Sequence, residues 1–349
     1  MVEIRPYDGD AVEASRFVNS VWTRYYAEKG PVTDFDARFL DWMLFSNPVA
    51  NRDYMLAAYQ GSKLVGTLFA EPIPLRLGAK DVSGTFGSWA SVDPDYRGQG
   101  VMMKLSERMA ARHRERGATC MLACVATGST AQRFWERVRD TRFLNHLGLW
   151  VHVFDPDAVV RWSMSSAERA LFTVAKPLLR QGYLGTPVEG VRPYRPEDLS
   201  SCMALVSRML EPVNLGYGYT VERLAHQLQY RDVPTTLVLE RDGAVRGVAN
   251  YYTLRMKARG ELTVGMLDLL AFHDSVTWGE RKQLLAAAMR SMVGRGVSLG
   301  AMLRGPCISA PLMLREGWFP WSGGARMVSL FSAEDMRLPA APRVFVHMR

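Results

Sequence analysis

The sequence predicts a mixed α/β protein in which one arrangement of elements occurs twice, and three observations carry that reading. Short apolar strands punctuated by Gly, Asp and Ser turn signals alternate with amphipathic helices in both halves. A helix, a hairpin, a further strand and a long helix follow one another before residue 160 and again after residue 190. At 349 residues the chain is long enough for two separate cores.

In the first half, helical spacing runs from Asp10 to about Tyr26 and again from Asp36 to Phe45. The strands YMLAAYQ (54–60) and LVGTLFAEPIPLRL (64–77) flank the turn Gly61-Ser62, and VSGTFGSWASV (82–92) stops at Asp93-Pro94. The loop RGQG (97–100) precedes VMMKLSERMAARHRERG, where Val101, Leu105 and Met109 recur at the helical interval and Gly117 is the expected C-cap. TCMLACVA (119–126) is apolar on both faces, as a central strand is, and TAQRFWERV (130–138) reads as a helix. An amphipathic helix from Ala167 to Gln181, followed by Gly182, Gly185 and Pro187, makes 161–190 a connection between a first domain, 1–160, and a second, 191–349. The second domain has a helix within 191–210, a hairpin over 235–256 turned at Asp242-Gly243, a strand at 262–272 and a helix at 280–296.

Composition narrows the function classes. No window holds the roughly 18 uncharged apolar residues of a spanning helix, and the N-terminus MVEIRPYDGD has neither a secretory pattern nor a glycine for lipidation. A cytoplasmic location is expected. Cys120 and Cys124 share one strand, which separates their Cα atoms by about 13 Å, so the cysteines are expected to be reduced. The histidines (His113, His146, His152, His226, His273 and His347) show no ligand spacing, and no metal is expected. A net charge of +8 and a pI near 9.4 call for an anionic partner: nucleic acid, a membrane surface or a polyphosphate ligand. Dispersed Arg and Lys, without a zinc-finger or RNA-binding signature, argue against nucleic acid.

The loop is the most informative feature. Between a strand and a helix, main-chain N–H groups around Gly98 and Gly100 face outward at a helix N-terminus, and Arg97 adds charge-assisted donors. The segment Val92, Arg97, Gly98, Gln99, Gly100, Val101 and Met102 is therefore a candidate pyrophosphate site. No such loop occurs in the second half, so only the first copy is expected to bind phosphate.

On the segment VDPDYRGQG (92–100), the chain resembles the GCN5-related N-acetyltransferase (GNAT) superfamily. The resemblance implies acyl-CoA as co-substrate and two tandem domains of this kind, each a twisted, mostly antiparallel sheet flanked by helices. Two positions depart from the superfamily pattern. Met102 stands where Gly or Ala is usual, and Trp135 stands where a proton-donating Tyr often does; an indole has no acidic proton to give. Over nearly its whole length the chain resembles the N-myristoyltransferases, tandem members of that superfamily. The segments YYAEKGPVTDFDARFLDWML, KLVGTLFAEPIPLRL, RFWERVRDTRFL, GTPVEGVRPYRPEDL and GVANYYTLRM occur in that family's order.

This resemblance implies an oxyanion hole from the main-chain N–H groups of Trp89 and Ala90, each such donor being worth about 3–4 kcal/mol of barrier. It implies the C-terminal carboxylate, on Arg349, as the base. It also implies an acceptor-contacting loop at Tyr25 and Tyr26 and the acidic residues Glu28, Asp34 and Asp36 that follow them, and Tyr251 is a further candidate acceptor contact. Glu71, just before Pro72, is either an alternative base in the cleft or a carboxylate at an exposed strand end, and the exposed end is the plainer reading. Tyr251 and Tyr252 are expected to pack with one facing in and the other out. The 19 methionines fit an acyl tunnel or ordinary core filling.

The function these readings favour is transfer of a long acyl chain, of roughly twelve or more carbons, from coenzyme A to a primary amine. The amine could belong to a peptide N-terminus, an amino acid, a polyamine or a lipid such as a sphingoid base. A lipid acceptor would bring peripheral contact with a membrane surface. The alternatives are a short-chain N-acetyltransferase of a small molecule, an aminoacyl-tRNA-dependent transferase and a non-catalytic acyl-CoA sensor.

Overall fold

The computed structural model describes residues 2–26, 28, 30–48, 51–175, 189–334, 336–340 and 342–347. The first half contributes β1 (Glu3–Pro6), α1 (Ala11–Tyr26), β2 (Val32–Asp34), α2 (Ala37–Leu40), β3 (Met55–Gln60), β4 (Lys63–Leu77), β5 (Lys80–Val92), α3 (Val101–Arg116), β6 (Met121–Ala126), α4 (Thr130–Trp135), β7 (Arg142–Val153), α5 (Pro156–Trp162) and α6 (Ser166–Ala175). The second contributes β8 (Val191–Pro193), α7 (Leu199–Met209), β9 (Leu215–Tyr217), α8 (Val221–Leu228), β10 (Thr235–Arg241), β11 (Ala244–Lys257), β12 (Glu261–Phe272), α9 (Trp278–Gly294), β13 (Leu299–Leu303), α10 (Ala310–Arg315), β14 (Phe319–Leu330) and β15 (Val344–Phe345).

Among the described residues these strands form one sheet, mostly antiparallel and flanked by helices. Its main path runs β1-β3-β4-β5-β6-β14-β7-β13-β12-β11-β10-β8. β2 lies beside β11, and β9 joins β4 to β15. The halves interleave: β14 is hydrogen-bonded to β6 on one side and β7 on the other, and β13 pairs with β7.

Local chemistry explains the elements. α3 buries Val101, Leu105 and Met109 against Leu56, Val65 and Leu68, and ends at Gly117 in the left-handed region (φ +65°), as its sequence predicts. The second hairpin turns at Asp242 (φ +53°) and Gly243 (φ +70°), the positive-φ pair that matches strand twist. α1 and α2 cover the opposite face of the first half, placing Val18, Phe39 and Trp42 in one core with Trp89. Where helical spacing runs on from Asp36 to Phe45, α2 gives way to a wider π turn over Asp41–Phe45. α4 stops at Trp135, short of residue 138. α6 ends at Ala175, and the expected continuation to Gln181, with Gly182, Gly185 and Pro187, lies outside the described residues.

One packing expectation is corrected. Tyr251 and Tyr252 point to opposite faces, yet both are fully buried, because helices cover both sides of β11. Tyr252 packs on Phe39 and Trp42, whereas Tyr251 lies in the α9 core with its hydroxyl 2.6 Å from Ser291 Oγ. The four cysteines are free thiols, and no helix among the described residues is long and apolar enough to cross a membrane.

Candidate active site

The site begins with a break in strand pairing. Thr67 pairs with Ser91 and Phe69 with Ser88, so Leu68 alone faces both Trp89 and Ala90, and β5 bulges there. Trp89 sits at φ +53°, a conformation uncommon for a bulky residue. Thr67 Oγ1 donates a 2.9 Å hydrogen bond to the Trp89 carbonyl, and the Trp89 indole lodges edge-on among Phe35 and Phe39. The Trp89 side chain is buried, while Ala90 is exposed on the other side of the bulge.

The bulge ends the contact between β5 and β6. These strands pair in parallel only from Thr85 to Gly87 and from Met121 to Ala123, and beyond that point they part. The opening is a wedge of about 250 Å³ walled by Trp22, Val32, Leu68, Trp89, Met121 and Cys124. A larger cavity of about 520 Å³ adjoins it, and the two share Tyr26, Ala90, Ala131 and Trp135.

The larger cavity is built on the glycine loop. Gly98 (φ +77°) and Gly100 (φ +73°) take left-handed conformations immediately before α3, and Gly100 is its N-cap. The sixteen-residue helix supplies partial positive charge there. The loop is tethered from outside: Asp93 pairs with Lys63 at 3.0 Å and with Arg24 at 3.1 Å, and Arg24 also reaches Asp95 at 3.0 Å. Arg97 lays its guanidinium over the Tyr25 ring, 3.4 Å from the centroid, and the Tyr25 hydroxyl is 2.5 Å from Thr130 Oγ1. The end of α1 is thus clamped between the loop and α4.

Of the residues singled out in the sequence, Tyr25, Tyr26, Ala90, Val92, Arg97, Gly98, Gly100, Val101 and Met102 come together around the larger cavity, and Trp89 around the wedge. Gln99 does not line either: its side chain turns back to the Asp95 carbonyl at 3.2 Å. Glu28 is exposed and lines neither. Asp34 is held by Arg255 at 3.2 Å and Lys257 at 3.0 Å, and opens instead on a separate recess with Asn19 and Thr23. Tyr251 lies away under α9.

Glu71 is not at an exposed strand end. β4 continues to Leu77 and is covered by β9 and α8, so Glu71 is buried in mid-strand. Its carboxylate accepts hydrogen bonds from Asn47 Nδ2 (3.1 Å) and Tyr217 OH (3.2 Å), and pairs with the buried Arg223 guanidinium.

Arg349 lies outside the described residues, but the chain leading to it is anchored. β15 pairs in parallel with β9, and Phe345, Val346 and His347 are buried. His347 Nδ1 is 2.6 Å from Asp268 Oδ1, and its Nε2 shares a hydrogen with the Tyr219 hydroxyl. Gly216, at φ +144°, is required here, since a Cβ would overlap the Phe345 carbonyl oxygen.

Two cations escaped the reading of the sequence. Arg133 and Arg137, both exposed, line the larger cavity together with Arg97. Their spacing of four in RFWERVR, which puts them on one helical face, was the available signal. The cleft therefore has a cationic mouth and an apolar inner end. Inside it, burial raises the Tyr26 phenol above its ordinary range, so it keeps its proton at neutral pH. Burial also pushes the Cys124 thiol up to about 12, which leaves it a poor nucleophile.

Known proteins share this fold. Residues 8–135, which include the loop and the bulge, match the model of an acetyltransferase (GNAT) domain. The whole chain is similar in structure to Saccharomyces cerevisiae N-myristoyltransferase solved with bound myristoyl-CoA. The TM-score is 0.77 over 100% of this chain and 85% of that one, at 15% identity. GCN5-related N-acetyltransferases from Kribbella flavida (TM-score 0.52, 16% identity, 95% of this chain and 72% of that one) and Anabaena variabilis (0.56, 9%, 95% and 73%) are also similar. At these identities the likeness establishes the fold: a GNAT domain carried within an N-myristoyltransferase-like architecture. No curated protein matches the sequence.

Proposed function

We propose that this chain, a GNAT domain within an N-myristoyltransferase-like fold, transfers an acyl group from coenzyme A to a primary amine. The observation that carries the proposal is the position of the Trp89–Ala90 bulge where the cationic cavity meets the apolar wedge. A thioester with its phosphates at the glycine loop and its acyl chain in the wedge has its carbonyl at the junction. The loop glycines leave room for phosphate oxygens, since apart from the adjoining residues nothing lies within 4 Å of where a Cβ would be at Gly98 or Gly100.

In the proposed reaction the neutral amine attacks the thioester carbonyl, and main-chain N–H groups at Trp89 and Ala90 stabilise the tetrahedral oxyanion. Collapse breaks the C–S bond and forms the amide. The departing thiolate is a fair leaving group, with an ordinary thiol pKa of about 8.5, and Tyr26 borders both cavities with a proton to give. Trp135 cannot serve as that acid, although it occupies the same junction. The incoming ammonium must lose its proton. Glu71 is poorly suited to take it, since Asn47, Tyr217 and Arg223 already engage its oxygens. The carboxylate of Arg349, two residues beyond the anchored His347, is the base we propose, and the fixed tail supports that choice.

A peptide N-terminus, an amino acid or a lipid amine would each fit this chemistry. The deciding experiment incubates the protein with acyl-CoA donors and a panel of primary amines, following free thiol and the mass of the product. Amide formation is the expected result. Donor binding with no thiol released by any amine would leave a sensor instead of an enzyme.

A further inference from the structure

The inner end of the wedge is closed by a specific contact. β5 and β6 rejoin at Gly87 and Ala123, and no chain can pass between strands that are hydrogen-bonded to each other. Met121, two residues back along β6, is fully buried and lies against the α-carbon of Gly87. A Cβ at position 87 would come within 2.6 Å of the Met121 sulfur and 2.8 Å of its terminal methyl. Leu68 and Trp89, both buried, wall the opposite end, at the bulge. The wedge of about 250 Å³, open at its other end to the larger cavity, has room for about eight groups the size of a water molecule, and a methylene is close to that size.

We propose that Met121, seated on Gly87, sets the length of the donor's acyl chain at about eight carbons. The proposal rests on the donor reading above and narrows it, placing the optimum below the twelve or more carbons that the family resemblance suggests. Each methylene buried in the wedge should tighten binding about fourfold, and the gain should stop where the chain meets the thioether. A flexible methionine makes the stop soft, because a longer chain can displace the side chain at some cost. Glycine at position 87 is part of the gauge: any side chain there would push Met121 into the acyl space.

The test is calorimetric titration of the full chain with coenzyme A and with its acetyl, hexanoyl, octanoyl, dodecanoyl and tetradecanoyl thioesters, using wild type, Met121→Ala and Gly87→Ala. In wild type, affinity should climb to the octanoyl donor and then level off or fall. Met121→Ala should move the break to longer chains, and Gly87→Ala to shorter ones. Equal affinity of all three proteins for unacylated coenzyme A shows that the variants are folded and that the loop is intact. A steady climb through the tetradecanoyl donor in wild type, or a break at the same length in Met121→Ala as in wild type, would overturn the gauge while leaving the donor reading standing. Failure of wild type to bind coenzyme A at all would remove the donor reading and the gauge with it.

Discussion

The Thr67 hydroxyl hydrogen-bonds the carbonyl of Trp89, tying β4 to the one point where β5 leaves regular pairing. Both residues are buried, so Thr67→Val leaves that carbonyl without its partner, at a cost of about 1–3 kcal/mol. If the bulge presents the oxyanion donors, this loss should appear as a roughly tenfold or greater fall in kcat with little change in donor KM. Thr67→Ser should restore most of the rate. Equal kcat in wild type and Thr67→Val would separate this hydrogen bond from catalysis.

Arg133 and Arg137 flank the mouth of the larger cavity as exposed side chains. Their joint replacement by alanine should weaken coenzyme A binding about tenfold or more at low salt, since charge-assisted contacts to phosphate are the strong ones. The difference should shrink as ionic strength rises. Pantetheine, which lacks the nucleotide phosphates, should bind wild type and the double variant alike. Titrations at two salt concentrations provide the check.

Gly216 lets the tail run beside β9. Gly216→Ala combines a backbone angle that L residues avoid with an overlap on Phe345, and should cost about 3 kcal/mol or unseat the tail. Asp268→Asn, which weakens the hold on His347, should have a smaller effect in the same direction. Limited proteolysis from the C-terminal end reads both. Acyl transfer should fall with tail release if the base lies beyond His347.

Two buried histidines set a pH limit. Burial lowers His113 and His152 to about 4, while His113 Nδ1–H donates to Met109 O and the Thr85 hydroxyl donates to its Nε2. An unfolded histidine titrates near 6.5. Above pH 7 both states are neutral and these groups leave stability unchanged. As pH falls from 6.5 towards 4 the unfolded chain takes up protons that the folded one refuses, so stability drops, by about 2 kcal/mol per histidine at pH 5. Below the folded value the loss levels off. Urea midpoints measured at pH 7.5 and pH 5 test this, and identical midpoints would contradict it.

What could be read from the sequence was local. The loop glycines declare themselves because positive φ ahead of a helix leaves a short signature, and α3 is visible in Val101, Leu105, Met109 and Gly117. The bulge is a matter of register between two strands, so nothing in SWAS alone reveals it, and only a family resemblance pointed to Trp89 and Ala90. The burial of Glu71 was hidden for a similar reason: Tyr217 and Arg223, which enclose it, are remote in sequence. Arg133 and Arg137 were visible as a basic pair but indistinguishable from a solvated helix face until the cavity placed them.

The place of β14 between β6 and β7 bears on how the protein is made. When β7 leaves the ribosome, the sheet of the first half has a vacant slot that only Phe319–Leu330 can fill, and about 170 residues remain to be synthesised before it appears. At about 5–20 residues per second the unpaired edges of β6 and β7 stay open for roughly ten to thirty seconds, a period in which a nascent chain needs shielding from its neighbours. Maturation of the wedge, whose wall includes β6, therefore waits on the synthesis of β14, and a fragment truncated before β14 would emerge as a client for chaperones or proteases with its cleft half built.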